Sequence, residues 1–315
     1  MLPFLVDLGM TSFYTNVFCT CIKVGFFIYM DKKGGLNMKI MKIINNNTVC
    51  VLDEKGKEQI MSGKGIGFGK KYGDEVDTKR IEKIYMVTDS TLQKKLIECL
   101  SEIPYEYIKL TDDLIRYISS QIHAPLNNSL IVTLSDHIAF AIERKKQGME
   151  FSNPLMDSIH DCFPDELSLG KYCLNEIKEK LGIELHSDEA GFIAMHIINA
   201  RMGTNMGQVP DITKMINGCA DIADRFYSGK IDKTMVAYDR FLVHLKFLAK
   251  RLFSSQELPN VLSKDEELLS LIKLKFKKHY KCAKCIQDYI LKNYAKTICE
   301  DEMLTLAIHL KKISE

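Results

Sequence analysis

The sequence predicts a multidomain protein, with a small antiparallel β-sheet module followed by two all-α helical bundles. Two observations predict it. Near residue 90 the apolar pattern changes from short runs rich in β-branched residues to a period of 3.6. The helical part is also written twice, and each copy carries two histidines at matching positions. A length of 315 residues suits two or three domains, and 46% apolar content lets each unit bury a core.

Residues 1–37 differ from the rest. Phe4 to Met30 is apolar and aromatic, interrupted by Asp7 and Lys23. It has no basic region before the apolar run and no small-residue cleavage site after it, and its apolar runs are short for a membrane span. Lys33-Gly34-Gly35-Leu36-Asn37-Met38 is what a purine-rich ribosome-binding site yields when translated in frame. Residues 1–37 are therefore expected to be a mis-called extension, with Met38 the true start. The intact mass of the native protein should correspond to a chain beginning at Met38; a mass that includes Met1 contradicts this.

Residues 38–93 read as the β module. Lys39–Ile44 is a short strand, Asn45-Asn46-Asn47 a turn, and Thr48–Leu52 a second strand. Asp53–Lys57 supplies a hairpin turn from which Glu58–Met61 returns, and Ile81–Val87 closes the sheet. A unit of this size buries little area and gains from dimerising. From about residue 90, Leu92, Leu96, Cys99 and Leu100 mark one helical face. Ile131, Leu134, Ile138, Ala141 and Ile142 mark another, and Leu242, Leu245, Leu248, Ala249 and Leu252 a third. Gly148, Gly182, Gly203, Gly207, Gly218 and Gly229 are expected at helix ends. Gly203–Pro210 is the expected linker, so the helical domains run 102–206 and 207–315.

The repeat carries the chemistry. His137, Phe140 and Arg144 superimpose on His244, Phe247 and Arg251. Downstream, Glu189 and His196 superimpose on Glu302 and His309, in a register that also pairs Phe163 with Phe276 and Ile177 with Ile290. A lone histidine on an apolar helix is usually a core residue, but four at repeated positions reverse that reading. A neutral imidazole is nucleophilic near pH 7, which makes His137, His196, His244 and His309 the candidate phosphorylation sites. His123, His160, His186 and His279 have no counterpart in the register and read as structural or exposed.

The segment Gly63-Lys64-Gly65-Ile66-Gly67-Phe68-Gly69-Lys70-Lys71 lacks the Gly-Lys-Ser/Thr of a P-loop and the spacing of a dinucleotide fingerprint. It reads instead as a nucleic-acid surface. Glycines let backbone amides approach phosphates, Phe68 offers a stacking face, and Lys64, Lys70 and Lys71 offer charge. The formal net charge is only +2, so the basic character is local to this module. Lys42, Asn45, Asn47, Gly63, Lys64, Gly65 and Phe68 are the candidate RNA contacts. Ten cysteines without framework spacing indicate reduced thiols in a cytosol, and Cys282-Ala-Lys-Cys285 lacks the second pair that a zinc site needs.

Lys42–Val49 together with Gly63–Phe68 resembles the co-antiterminator RNA-binding module of the BglG-type transcriptional antiterminators. The paired histidine repeats resemble the two phosphotransferase-system regulation domains of the same family, in the expected order from Met38 onward. The resemblance implies a four-stranded sheet that dimerises and grips an RNA hairpin overlapping a terminator in a sugar-utilisation operon. It also implies inhibitory phosphorylation of the first helical domain by a sugar-specific permease. The second domain would be activated by the histidine phosphocarrier protein. No catalytic activity, metal or cofactor is expected.

Two other classes compete with this reading. A DNA-binding activator with the same regulatory domains needs a helix-turn-helix, and residues 38–93 show no such helical period. His160-Asp161 invites comparison with HD-type metal-dependent phosphohydrolases, but the pair precedes Cys162-Phe163-Pro164, a helix-ending context. The copies also differ beside their histidines. Asp136 stands opposite Val243, and Pro164 opposite Lys277 in the expected loop before the second histidine, as two different phosphodonors would require.

Overall fold

The computed structural model describes residues 38–52, 56, 58–87, 89–122, 124–204, 206–253 and 274–315. The expectations for residues 1–37, for most of the turn Asp53–Lys57 and for His123 lie outside them. The chain divides into two compact units between Lys109 and Leu110.

The first unit opens with a meander of strands β1 (Ile40–Asn45), β2 (Thr48–Leu52), β3 (Glu58–Ser62) and β4 (Lys83–Tyr85). They pair antiparallel in the order β1-β2-β3-β4. Met38, Ile40, Val49, Val51, Met61, Ile66, Val76 and Ile84 form its apolar core. Cys50, Ile60 and Tyr85 are buried too, so β2 is apolar on both faces and reads as a continuous run rather than an alternation. Helix α1 (Ser90–Glu102) packs against β1 and is capped by Asp89, whose Oδ1 accepts from the Thr91 and Leu92 amides at 2.8 Å. β4 is shorter than the expected Ile81–Val87: the Ile81 amide closes the 3-10 turn Thr78–Arg80 by bonding Thr78 O, and the Glu82 amide bonds Ser62 O of β3 just before the strand begins.

Helix α2 (Tyr105–Gln121) spans the boundary between the units. The second unit continues with α3 (Leu130–Lys146), α4 (Met156–Cys162), α5 (Pro164–Leu181) and α6 (Glu189–Met202). The second copy comprises α7 (Val209–Phe226), α8 (Val236–Phe253), α9 (Lys277–Tyr294) and α10 (Glu300–Ser314). Gly182 and Gly203 end α5 and α6 in left-handed conformation, as expected of C-terminal glycines.

Three expectations need correction. Gly218 lies inside α7 rather than at a helix end, because the Tyr289 ring lies on it: a Cβ there would fall 2.2 Å from the Tyr289 hydroxyl. Gly207 belongs to a 3-10 turn, Met206–Gln208, that leads directly into α7, so the expected linker is short and ordered at its end. Pro164 and Lys277 are not loop residues; each opens a helix, α5 and α9. Pro164 fits there because a first-turn residue needs no amide hydrogen.

The two copies also share one apolar core. Ile159, Phe163, Ala194 and Ile198 of the first join Ile212, Ile216, Phe241 and Leu245 of the second. Polar ties cross the same junction. The Cys162 thiol donates to Asn217 Oδ1 at 2.6 Å, and Lys250 Nζ donates to the Arg201 carbonyl at 3.2 Å.

Candidate functional site

In the β module, the asparagine turn cradles the glycine loop. Asn45 Oδ1 accepts from the Asn47 amide at 2.8 Å, and Asn47 Oδ1 accepts from the Gly65 amide at 2.8 Å. Gly63 N bonds Asn47 O, and Gly67 N bonds Asn46 O. This closeness explains two of the glycines. A Cβ on Gly63 would lie 1.7 Å from the Arg80 carbonyl oxygen, and one on Gly67 would lie 2.5 Å from that of Asn45. Gly65 has φ +68, and its carbonyl accepts from Arg80 Nη1 at 3.0 Å.

Of the candidate RNA contacts, Lys42, Lys64 and Phe68 are exposed, Phe68 by 71%. Gly63 is buried. Asn45 has both ends of its amide occupied, since Nδ2 also donates to the Leu100 carbonyl at 2.5 Å. The loop therefore presents lysines and an aromatic ring to solvent on a scaffold that the asparagines hold.

In the helical unit, the four repeated histidines meet in two pairs. The His137 and His196 rings, from α3 and α6, lie 4.9 Å apart at 41°. The His244 and His309 rings, from α8 and α10, lie 4.8 Å apart at 19°. Each pair is completed by a glutamate and an arginine. Glu189 Oε2 approaches His137 Nε2 to 3.1 Å, off the axis of a hydrogen bond, while its Oε1 accepts from Arg144 Nη2 at 2.8 Å. In the second copy, Glu302 Oε2 lies 3.6 Å from His244 Nε2, and Oε1 pairs with Arg251 Nη2.

Glu189 and Arg144 stood in the repeat register but were not expected to act. The signal was spacing: an arginine seven residues after the first histidine lies two helical turns along the same face, and a glutamate seven before the second does likewise. Those rows converge on one point between the helices.

The first cluster is packed more tightly than the second. The Arg144 guanidinium lies 4.8 Å from the ring centres of both Phe140 and Phe151, and its side chain is 9% exposed against 31% for Arg251. Glycines hold the start of α6 in place. A Cβ on Gly170 would lie 2.1 Å from the Ala190 carbonyl oxygen, and one on Gly191 would lie 2.6 Å from Asn153 Nδ2. Ala283 and Leu304 occupy these register positions in the second copy.

Burial favours the neutral form of His196, His244 and His309. Desolvation, with His137 beside it, pushes His196 down to about 3. Desolvation, with His309 and Arg251, pushes His244 down to about 4, and burial also lowers His309. Burial raises Glu302 against the opposing pull of Arg251.

The remaining histidines lie apart from the pairs. His160 is exposed beside Asp161, at 3.3 Å near the end of α4. His186 Nδ1 accepts from the Asp188 amide at 3.3 Å, ahead of α6. His279 Nδ1 lies 2.8 Å from the Tyr227 hydroxyl. Asp136 is exposed. Among the described residues, no group of three or more His, Cys, Asp or Glu could hold a metal ion, and no helix is long and apolar enough to cross a membrane.

A pH dependence follows. His196 and His244 have folded pKa values below their unfolded value of 6.5, so the unfolded chain binds more protons between pH 6.5 and about 3 to 4. Their neutral burial costs nothing above pH 6.5, and stability falls as pH drops below it. The urea midpoint should therefore decrease between pH 7 and pH 5, and His196→Gln should flatten that slope by up to about one proton. An unchanged slope in the variant contradicts the assignment.

The CAT RNA binding domain family matches residues 38–94, and the PRD domain family matches residues 112–200 and 220–313. The chain is 38% identical over 276 residues to the transcription antiterminator LicT of Bacillus subtilis (strain 168), covering 88% of this chain and 99% of that protein. It is also 38% identical over 276 residues to a beta-glucoside operon antiterminator of Dickeya chrysanthemi, covering 88% and 96%. A crystal structure of GlcT CAT-PRDI aligns with 53% of this chain and 99% of its own, at 34% identity and TM-score 0.46. With an RNA-binding β module at its start and two histidine-paired repeats behind it, the chain belongs to the family of transcription antiterminators built from a CAT RNA binding domain and two PRD domains.

Proposed function

We propose that this protein binds an RNA hairpin overlapping a terminator in a sugar-utilisation operon, and that histidine phosphorylation sets how well it does so. The observation that carries this reading is the duplicated His–His–Glu–Arg cluster behind a β module that displays lysines and an aromatic ring. Holding the hairpin excludes the terminator fold, so the protein need only bind one of two RNA structures better.

On the β module (38–93), Lys42 and Lys64 meet phosphates, and Phe68 stacks on an unpaired base. Asn47 offers Nδ2 to a base edge while its Oδ1 holds Gly65. Asn45 acts through the turn it closes rather than by touching RNA, and Gly63 and Gly65 shape the loop. The active form is a homodimer, because so small a sheet gains from pairing.

The helical domains (102–206 and 207–315) supply the control. A buried neutral imidazole offers its lone pair to phosphorus as the donor's bond to that phosphorus breaks. The phosphoryl group brings roughly −1.5 to −2 charges, by analogy with other phospho-residues. On His137 Nε2 it would meet the Glu189 carboxylate at the 3.1 Å contact. Like charges repel there, so the carboxylate leaves and Arg144 pairs with the phosphate instead. Glu302 and Arg251 serve His244 in the same way. The sugar-specific permease phosphorylates the first domain, at His137 and His196, as an inhibitory signal. The histidine phosphocarrier protein phosphorylates the second, at His244 and His309, as an activating one.

Incubating the full-length protein with the phosphocarrier and each permease, then mapping phosphohistidine by mass spectrometry, tests this. Label should divide between His137/His196 and His244/His309 according to donor. Label confined to His123 or His160 overturns the assignment.

A further inference from the structure

Phe68 is not the only ring that the glycine loop presents. Tyr72 is 73% exposed, slightly more than Phe68 at 71%. Among the described residues, Tyr72 has no hydrogen bond, ion pair or ring contact. A tyrosine this exposed adds little to the fold, yet the turn beneath it is firmly built. The Asp74 amide bonds Lys71 O at 3.2 Å, the Lys71 amide bonds Asp74 Oδ2 at 2.8 Å, and the Gly73 amide bonds Ile40 O at 2.8 Å. The Ile40 amide returns a bond to Asp74 O at 2.9 Å, which ties the turn to β1. Gly69 and Gly73 take left-handed φ values of +70 and +87, so the chain reverses on either side of the ring. The backbone is therefore set before any ligand arrives, and covering the ring orders only its two side-chain torsions.

The surroundings select the ligand. Lys71, immediately before Tyr72, is exposed, and Lys64 is exposed in the same loop. Tyr72 and Phe68 are four residues apart, so their Cα atoms are separated by at most roughly 14 Å. Two exposed rings within that reach, interleaved with cations, match a strand whose bases are unstacked and whose phosphates alternate with them. A protein partner would favour apolar neighbours at the centre of its contact, with charge at the rim. Here the residues at the ring's shoulders are a lysine and a glycine.

The geometry points to Tyr72 as a second stacking platform for an unpaired base of the bound RNA, beside Phe68. This rests on the proposed RNA-binding function and adds to it a residue that sets which hairpins are held. A fully paired stem offers no free base face, so Tyr72 favours hairpins with an unpaired nucleotide at the reach of both rings.

The chain contains no tryptophan, so a Tyr72→Trp variant carries a single indole reporter. The probe is an RNA hairpin selected by the wild-type full-length protein from a pool with randomised unpaired loops, compared with its fully paired counterpart. Tyr72→Ala should bind the selected hairpin roughly five- to a hundred-fold more weakly. Tyr72→Phe should retain binding, and neither change should alter the weak affinity for the paired stem. Emission of the Tyr72→Trp variant should be quenched by the hairpin and not by the stem. Because Tyr72 is largely exposed and has no hydrogen bond, ion pair or ring contact among the described residues, the urea midpoint of Tyr72→Ala should stay close to that of wild type, which separates lost stacking from lost structure.

If Tyr72→Ala binds within about two-fold of wild type and the indole is not quenched, while Phe68→Ala binds weakly, this inference fails and RNA binding stands. If the wild-type protein selects no hairpin at all, the proposed function fails with it.

Discussion

A buried carboxylate shared between an arginine and a histidine is the interaction on which the helical unit depends. Glu189 is 6% exposed, so it has given up most of its hydration. Removing one partner from such a pair leaves an uncompensated charge, at a cost of roughly 3–5 kcal/mol. The fold meets this demand from three directions. Arg144 is steadied between Phe140 and Phe151, Gly170 lets α5 press against the first turn of α6, and the Asn153 amide bonds Asp188 just before Glu189. The same carboxylate lies over His137 Nε2. A group that stabilises the resting helices thus stands where a phosphoryl group would arrive, and the proposed control is an exchange of one anion for another at the arginine.

The second copy repeats the chemistry on a looser frame. Arg251 and Glu302 are more exposed than Arg144 and Glu189, and the glycines that clamp α6 are replaced by Ala283 and Leu304. The copies are not independent, because α6 and α8 carry both the histidines and the ties across the junction. α6 ends near the Arg201 carbonyl that accepts from Lys250, and Lys246, two residues past His244, lies 5.0 Å from the Phe163 ring centre. One apolar core runs beneath both copies. A change at either cluster therefore reaches the other copy through these ties and the common core.

Much of this was legible in the sequence, and the parts that were not have physical reasons. The change of hydrophobic period marked the β module and the helices, and the repeat paired the histidines with their own partners. Local spacing could not show that Glu189 and Glu302 would reach the first histidine of each pair, because those contacts join residues 52 and 58 positions apart in the chain. Gly218 was expected at a helix end because a glycine by itself does not reveal that a ring from α9 will lie on it. Asn45 looked like a base reader because its amide is polar and near a turn. In the fold, that amide is already engaged by Leu100 and Asn47. Tyr72 carried no pattern at all, and only its exposure on an ordered turn brings it forward.

In the proposed control, phosphorylation acts by displacing the buried glutamate from its arginine. This is tested most directly by the change in hairpin affinity on phosphorylation of His137, compared between the wild-type protein and Glu189→Gln. Glutamine keeps the shape but carries no charge to repel. The variant should still accept phosphate at His137, yet its affinity should shift several-fold less than that of the wild type. An affinity shift of the same size in both proteins would contradict it.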